Sequence, residues 1–153
     1  MGNTIIIDAN IALKWVLKES DSNLAEALLI ELNRKGIVMY APALLTYEVS
    51  NILYQHVRKG TITLEKAKEA IKDVLSTGLK LEFTQDTMLN NKALELAQRF
   101  NLPATYDAHY LALAEREQCE LWTADRRLWN TIRGKLAWVR WLGDYQPTST
   151  PTE

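Results

Sequence analysis

The run Ile5-Ile6-Ile7, followed at once by Asp8, is the feature that most constrains the fold of this chain. Three consecutive β-branched residues favour a strand buried on both faces, which is typical of parallel sheets. Ligands of open α/β sheets bind beyond the carboxyl ends of the strands, where Asp8 would lie. Asp8 or Asn10 could instead cap the helix that follows, and the run alone leaves both interpretations open.

The rest of the chain alternates predicted strands with predicted helices. The strands are expected at residues 5–7, 37–40, 79–83, 120–123 and 137–141. This alternation predicts an α/β fold in which a parallel sheet is covered on both faces, a three-layer α/β/α sandwich. We expect one domain over residues 1–145 and a disordered tail, rich in Pro, Thr and Ser, over residues 146–153.

Composition excludes several classes of function. The net charge of −1 provides no global basic field, so nucleic-acid binding would depend on a local patch and a metal ion. Cys119 is the only cysteine, which excludes an internal disulfide and a multi-cysteine metal site. No apolar run approaches the ~20 residues of a membrane span and no secretory leader is recognisable, so we expect a cytoplasmic protein.

Four acidic residues stand out because they lie in apolar surroundings, whereas most of the 19 acids lie among lysines, arginines and other polar residues. They are Asp8, Glu48, Asp107 and Asp125. If all strands are parallel, Asp8 and Asp125 follow the carboxyl ends of strands, and the helices carrying the other two acids begin at that same edge. The four carboxylates should therefore face one crevice, although the sequence does not fix the path of the helices between the second and third strands.

A shared crevice for four carboxylates predicts a bound cation. Like charges at close range repel one another unless a cation neutralises them, and hard oxygen ligands select Mg²⁺ or Mn²⁺ rather than zinc. Such an ion can activate water and stabilise charge on a phosphoryl oxygen, which is the chemistry of phosphodiester hydrolysis. His56 and His109 are interpreted as having no catalytic role.

Four segments together resemble the PIN-domain family, especially the VapC-type toxins of prokaryotic toxin–antitoxin pairs. In chain order they are Ile7-Asp8-Ala9-Asn10, Tyr47-Glu48-Val49-Ser50-Asn51, Tyr106-Asp107-Ala108-His109-Tyr110-Leu111-Ala112-Leu113-Ala114 and Leu121-Trp122-Thr123-Ala124-Asp125-Arg126-Arg127-Leu128. The resemblance implies a five-stranded parallel sheet, an Mg²⁺- or Mn²⁺-dependent ribonuclease acting on RNA, homodimerisation, and inhibition by a small cognate antitoxin protein.

Carried over by position, the resemblance implies that the four acids form the catalytic metal site. Asn10, Asn51 and Thr123 would be supporting groups, Asn51 lying three residues after Glu48 on the same helix face. Some family members have a further acid just after the fourth one, where this chain has Arg126, Arg127 and Leu128. This departure leaves open whether the site would hold one metal ion or two.

Basic and aromatic residues near the site have two interpretations each. Arg126 and Arg127 could hold an RNA phosphate, or simply face solvent. Lys14, Arg58 and Lys59 are interpreted mainly as solvated surface. Trp138 and Trp141 could stack on bases or lie in a subunit contact, although core packing is the usual place for tryptophan.

Three alternative functions remain beside the ribonuclease. A phosphatase of the haloacid-dehalogenase type also has an Asp after its first strand, but it needs a second Asp where this chain has Asn10. A receiver-type signalling domain would need a phosphoacceptor after the third strand, where Asp86 is interpreted as a helix cap. The third alternative is a PIN-like module that binds RNA or protein without turnover, because a fold does not fix an activity.

Overall fold

The computed structural model describes residues 3–83 and 86–148. Its five strands are β1 (Thr4–Ile7), β2 (Val38–Pro42), β3 (Lys80–Glu82), β4 (Leu121–Thr123) and β5 (Val139–Trp141). Its helices are α1 (Ala9–Val16), α2 (Ser22–Arg34), α3 (Leu44–Arg58), α4 (Leu64–Leu75), α5 (Thr87–Arg99), α6 (Tyr106–Glu117) and α7 (Arg126–Ile132), with a short 3₁₀ turn at Leu142–Asp144. No helix among these described residues is long and apolar enough to cross a membrane.

All five strands form one parallel sheet in the order β3-β2-β1-β4-β5, which confirms the predicted α/β fold. β1 is the central strand, and the chain leaves it towards β2 on one side and returns beside it as β4 on the other. This reversal is the topological switch point at which open α/β sheets bind ligands. Asp8 and Asp125 follow the two strands that flank it.

The centre of the sheet is buried because β1 and α6 consist mainly of apolar residues. Ile6 and Ile7 are 0% exposed, as the β-branched run predicted. In α6, every residue from Tyr110 to Ala114 is buried, so this helix lies within the core rather than on its surface. α6 packs against α5 on one side and against β1 on the other.

One segment differs from the sequence prediction. Ala41 and Pro42, expected to form a turn, extend β2, where they pair with Leu81 and Glu82 of β3. Pro42 has no N–H to donate to the sheet, and β2 ends at this residue. The predicted tail lies largely outside the described residues, and the last of these, Thr148, donates its hydroxyl to Glu31 at 3.3 Å.

Candidate functional site

Asp8 is the most buried acidic side chain of the site, with 3% of its surface exposed. It occupies the cap position of α1, but its carboxylate makes no capping hydrogen bond to that helix. Oδ2 of Asp8 instead accepts hydrogen bonds from Thr123 Oγ1 at 2.8 Å and from Asn10 Nδ2 at 3.4 Å. The capping interpretation is therefore wrong for Asp8, whose carboxylate lies against the end of β4.

Thr123 and Asn10 fix the junction between β4 and α7. Besides its bond to Asp8, the Thr123 hydroxyl accepts from the backbone N–H of Asp125 at 3.0 Å. Asn10 Oδ1 accepts from the backbone N–H of Ala124, also at 3.0 Å. These contacts hold the first and fourth strands in register at the edge where their carboxyl ends meet.

The other three acids reach the same edge from three different helices. Glu48 of α3 accepts a hydrogen bond at Oε1 from the Tyr110 hydroxyl, at 2.7 Å. Asp107 lies in the first turn of α6. Oδ1 of Asp125 caps α7 by accepting from two backbone N–H groups of that helix.

Electrostatic interactions join all four carboxylates. Burial raises the pKa of Asp8 to about 8, with further upward contributions from the charges of Asp107, Glu48 and Asp125 that outweigh the Thr123 hydrogen bond. Burial and the charge of Asp125 raise the pKa of Asp107 to about 6. The pKa of Glu48 is also raised, first by burial and also by Asp107 and Asp125, against the hydrogen bond from Tyr110. Four acids within mutual electrostatic reach are the charge arrangement that a cation would relieve.

The carboxylates are nevertheless not arranged as a ready ligand set. Within residues 3–83 and 86–148, no group of three or more His, Cys, Asp or Glu side chains is positioned to hold a metal ion. Three of the oxygens are already engaged: Oδ2 of Asp8 by Thr123 and Asn10, Oε1 of Glu48 by Tyr110, and Oδ1 of Asp125 by the α7 backbone. The donor type suits Mg²⁺ or Mn²⁺, but binding would require the carboxylates to approach one another more closely.

The remaining predicted residues, Asn51, Arg126 and Arg127, have exposed side chains. Asn51 is exposed on α3, where its Oδ1 accepts from Gln55 Nε2 at 3.5 Å. Arg126 and Arg127 are both exposed, and the guanidinium of Arg126 lies over the ring of Trp141, 5.3 Å from its centroid. Neither arginine forms an ion pair with the four acids in the described part of the chain.

Tyr110 is the site residue that sequence reasoning missed. It is 0% exposed, and burial raises the pKa of its hydroxyl, so it remains a neutral donor to Glu48. In the sequence it lies in an apolar helical run and is indistinguishable from core. The one available signal is its position three residues after Asp107, which places both side chains on one face of α6.

Comparisons with known proteins agree with this architecture. The model of the PIN domain family matches residues 5–133. Ribonuclease VapC3 of Pyrobaculum aerophilum is 27% identical over 124 residues, which cover 81% of this chain and 91% of that protein.

Solved structures of similar fold are found in several prokaryotes. A crystal structure from Pyrobaculum aerophilum superposes with a TM-score of 0.64 at 24% identity, covering 92% of this chain and 91% of that one. A toxin–antitoxin complex from Klebsiella pneumoniae gives a TM-score of 0.63 at 17% identity, covering 95% and 99%. VapBC2 of Rickettsia felis, bound to a DNA fragment from its promoter, gives 0.59 at 15% identity, covering 90% and 98%.

Proposed function

Because this chain belongs to the PIN-domain family, we propose that it is an Mg²⁺- or Mn²⁺-dependent endoribonuclease, the toxin of a toxin–antitoxin pair. The observation that carries the proposal is the burial of Asp8 at the sheet's switch point, within electrostatic reach of three further carboxylates. The 27% identity of this chain to a relative named as a ribonuclease supports RNA as the substrate.

Asp8, Glu48, Asp107 and Asp125 would hold the cation. When bound, the ion would lower the pKa of a coordinated water and stabilise charge on the scissile phosphate. The protein's part is to keep these oxygens oriented. Asp8 is the anchor because its carboxylate is fixed from two sides and removed from solvent, whereas the other three acids lie on helices at the rim.

The hydrogen-bonded neighbours of the carboxylates determine which oxygens remain available. Thr123 and Asn10 both donate to Oδ2 of Asp8, and we infer that Oδ1 is the oxygen offered to a cation. Tyr110 donates to Oε1 of Glu48 and so orients the other oxygen of that carboxylate. Positioning groups of this kind, one layer behind the ligands, govern both metal affinity and ligand orientation.

The decisive experiment is cleavage of a labelled single-stranded RNA by the purified protein in Mn²⁺ and in EDTA. Asp8→Asn, prepared identically, reveals any contaminating nuclease, and Asp73→Asn is the matched control because it removes an exposed carboxylate on α4. We expect metal-dependent cleavage by the wild type and by Asp73→Asn, and none by Asp8→Asn. Equal activity of the wild type and Asp8→Asn would contradict the proposal.

A binding module without turnover is the second candidate function. The observation in its favour is that the acids, as they stand in the described part of the chain, are not positioned to hold a metal ion. Binding of RNA by the wild type without cleavage in either Mg²⁺ or Mn²⁺ would support this alternative. The phosphatase hypothesis does not fit, because the chain belongs to a different family and Asn10, where that chemistry needs a second Asp, binds Asp8 and Ala124.

The same proposal includes the partners and the setting. We infer that residues 1–145 form one nuclease domain acting in the cytoplasm, that it dimerises, and that a small antitoxin protein inhibits it. The exposed side chains of Tyr47 and Tyr54, 73% and 57% accessible on α3, provide apolar surface for such contacts. Light scattering after size exclusion tests the dimer. Relief of expression-induced growth arrest by a co-expressed candidate antitoxin tests the pairing.

A further inference from the structure

A group of aromatic and basic side chains lies immediately beyond Asp125. The rings of Trp141 and Trp129 are stacked, with centroids 6.1 Å apart and planes inclined by 20°. The guanidinium of Arg126 lies 5.3 Å from the Trp141 centroid, and that of Arg133 lies 5.9 Å from the Trp129 centroid. Because Arg126 directly follows Asp125 in the chain, this group begins at the edge of the acidic site.

The two indoles form part of the wall of an open cleft. The cleft has a volume of about 500 Å³ and is lined by Trp122, Trp129 and Trp141 together with Arg140, Glu120 and Asp144. Sites for small organic groups occupy roughly 300–1,000 Å³ and are lined mainly by apolar and aromatic side chains. The cleft therefore has the size of such a site, and its indoles offer a surface for a planar ring.

Charge decides which part of a nucleotide suits this cleft. Glu120 is neutralised by Arg140, whose Nε lies 2.6 Å from Oε2, while Asp144 is an exposed carboxylate in the lining. Carboxylates repel phosphates but accept hydrogen bonds from the amino groups of bases. A base would thus enter the cleft beside the indoles, and its phosphate would stay outside, near Arg126.

The position of Trp141 depends on the absence of a side chain at residue 143. A Cβ built on Gly143 would collide with Nε1 of Trp141 and would lie 2.9 Å from Cδ1 of the same ring. Any larger residue must therefore displace the indole. The glycine allows the Nε1 side of the ring to approach the backbone of the 3₁₀ turn closely, and the ring forms part of the cleft wall.

We propose that Arg126, Trp129 and Trp141 form a stacking platform that binds an unpaired base of single-stranded RNA next to the acidic site. The proposal rests on the proposed action on RNA. Base–aromatic stacking tolerates any sequence, because every base has a π-face, and it is the common way to hold single strands. The platform would hold one nucleotide while a neighbouring phosphate lies over the carboxylates.

Binding is measured separately from cleavage by keeping the whole protein in EDTA. The probe is a fluorescently labelled single-stranded RNA of roughly 12 nucleotides, a length within the range of single-strand binding sites. Fluorescence anisotropy gives the Kd of the wild type, Arg126→Ala, Arg126→Lys and Gly143→Ala. Arg99→Ala is the matched control, because it removes an exposed arginine that lies over an aromatic ring, that of Phe100, at the end of α5. The unfolding midpoint of each variant shows whether it is folded, and Arg126 is exposed, so its removal should leave the midpoint close to that of the wild type.

We expect Arg126→Ala and Gly143→Ala to weaken binding roughly 5- to 150-fold, the range for loss of one stacked base. Arg126→Lys should recover only part of the loss, because an ammonium keeps the charge but not the planar group. Arg99→Ala should bind like the wild type. Unchanged Kd in both Arg126→Ala and Gly143→Ala would overturn the platform, and so would an equal loss in Arg99→Ala, which would indicate nonspecific attraction.

The outcome separates the platform from the nuclease. Metal-dependent cleavage that is unaffected by Arg126→Ala and Gly143→Ala, at RNA concentrations below KM, would preserve the proposed function and overturn the platform. RNA binding lost in those two variants, without cleavage by the wild type, would keep the platform and overturn the nuclease. A wild type that does not bind the RNA at all overturns the platform.

Discussion

Replacing Asp8 by asparagine should stabilise the metal-free protein, although it should abolish cleavage. The pKa of Asp8 rises from 3.8 to about 8 in the folded protein, chiefly because the carboxyl group is buried. Between these two values the folded state binds more protons than the unfolded state, so stability falls as pH increases across this window. The amide of the variant is neutral at every pH and escapes this loss.

The size of the gain follows from the width of the window. In the unfolded chain the carboxyl group has its ordinary pKa, and pH 7 is about three units above that value. Each unit corresponds to about 1.4 kcal/mol of free energy. The variant should therefore be more stable than the wild type by on the order of 4 kcal/mol at pH 7, and by almost nothing near pH 4. For a chain of this length, that corresponds to a Tm increase of roughly 8–16 °C.

Thermal and urea unfolding in EDTA, from pH 4 to pH 8, measure this difference. Asp73→Asn is again the control, and it should change stability by less than about 0.5 kcal/mol because its carboxylate is exposed. Addition of Mn²⁺ should reverse the order by stabilising the wild type and leaving Asp8→Asn unchanged. A variant that is less stable than the wild type at pH 7, or a difference that does not vary with pH, would refute the reasoning.

The remaining predictions concern the neighbours of the acids and the core. Thr123→Val should lower stability by about 1–3 kcal/mol in urea unfolding, because the carboxylate of Asp8 loses a buried donor; an unchanged midpoint would argue against the bond. Tyr110→Phe should weaken Mn²⁺ affinity about 10- to 100-fold by calorimetry, because Glu48 loses the donor that orients it; unchanged affinity would remove its positioning role. Leu111→Ala, at a position that is 0% exposed, should cost about 2–5 kcal/mol, and a smaller loss would mean that the core around α6 collapses onto the gap.

The central strand and its terminal acid could be predicted because local patterns determine them. An unbroken β-branched run is typical of a strand covered on both faces, and Ile6 and Ile7 are fully buried. The parallel sheet followed from strands alternating with helices. The strand order, which places β1 between β2 and β4, depends on how the helices cross the sheet and is not encoded in any single segment.

Side-chain contacts between distant segments were not predictable. Lys14 was interpreted as solvated surface, yet it is only 9% exposed, because its ammonium donates to the Ser20 carbonyl at 2.7 Å. Tyr110 reaches Glu48 across 62 residues of sequence. Asn51 lies three residues after Glu48, yet it is exposed and accepts a hydrogen bond from Gln55.

The bond between Asp8 and Thr123 also has a consequence for biosynthesis. Its partners are 115 residues apart, so the first part of the acidic site to be synthesised lacks its hydroxyl partner until most of the chain has been translated. At 5–20 residues per second this interval lasts roughly 6–23 s. A nascent chain therefore cannot assemble all four acids and their hydroxyl partner until the segment from Thr123 to Asp125 has been synthesised.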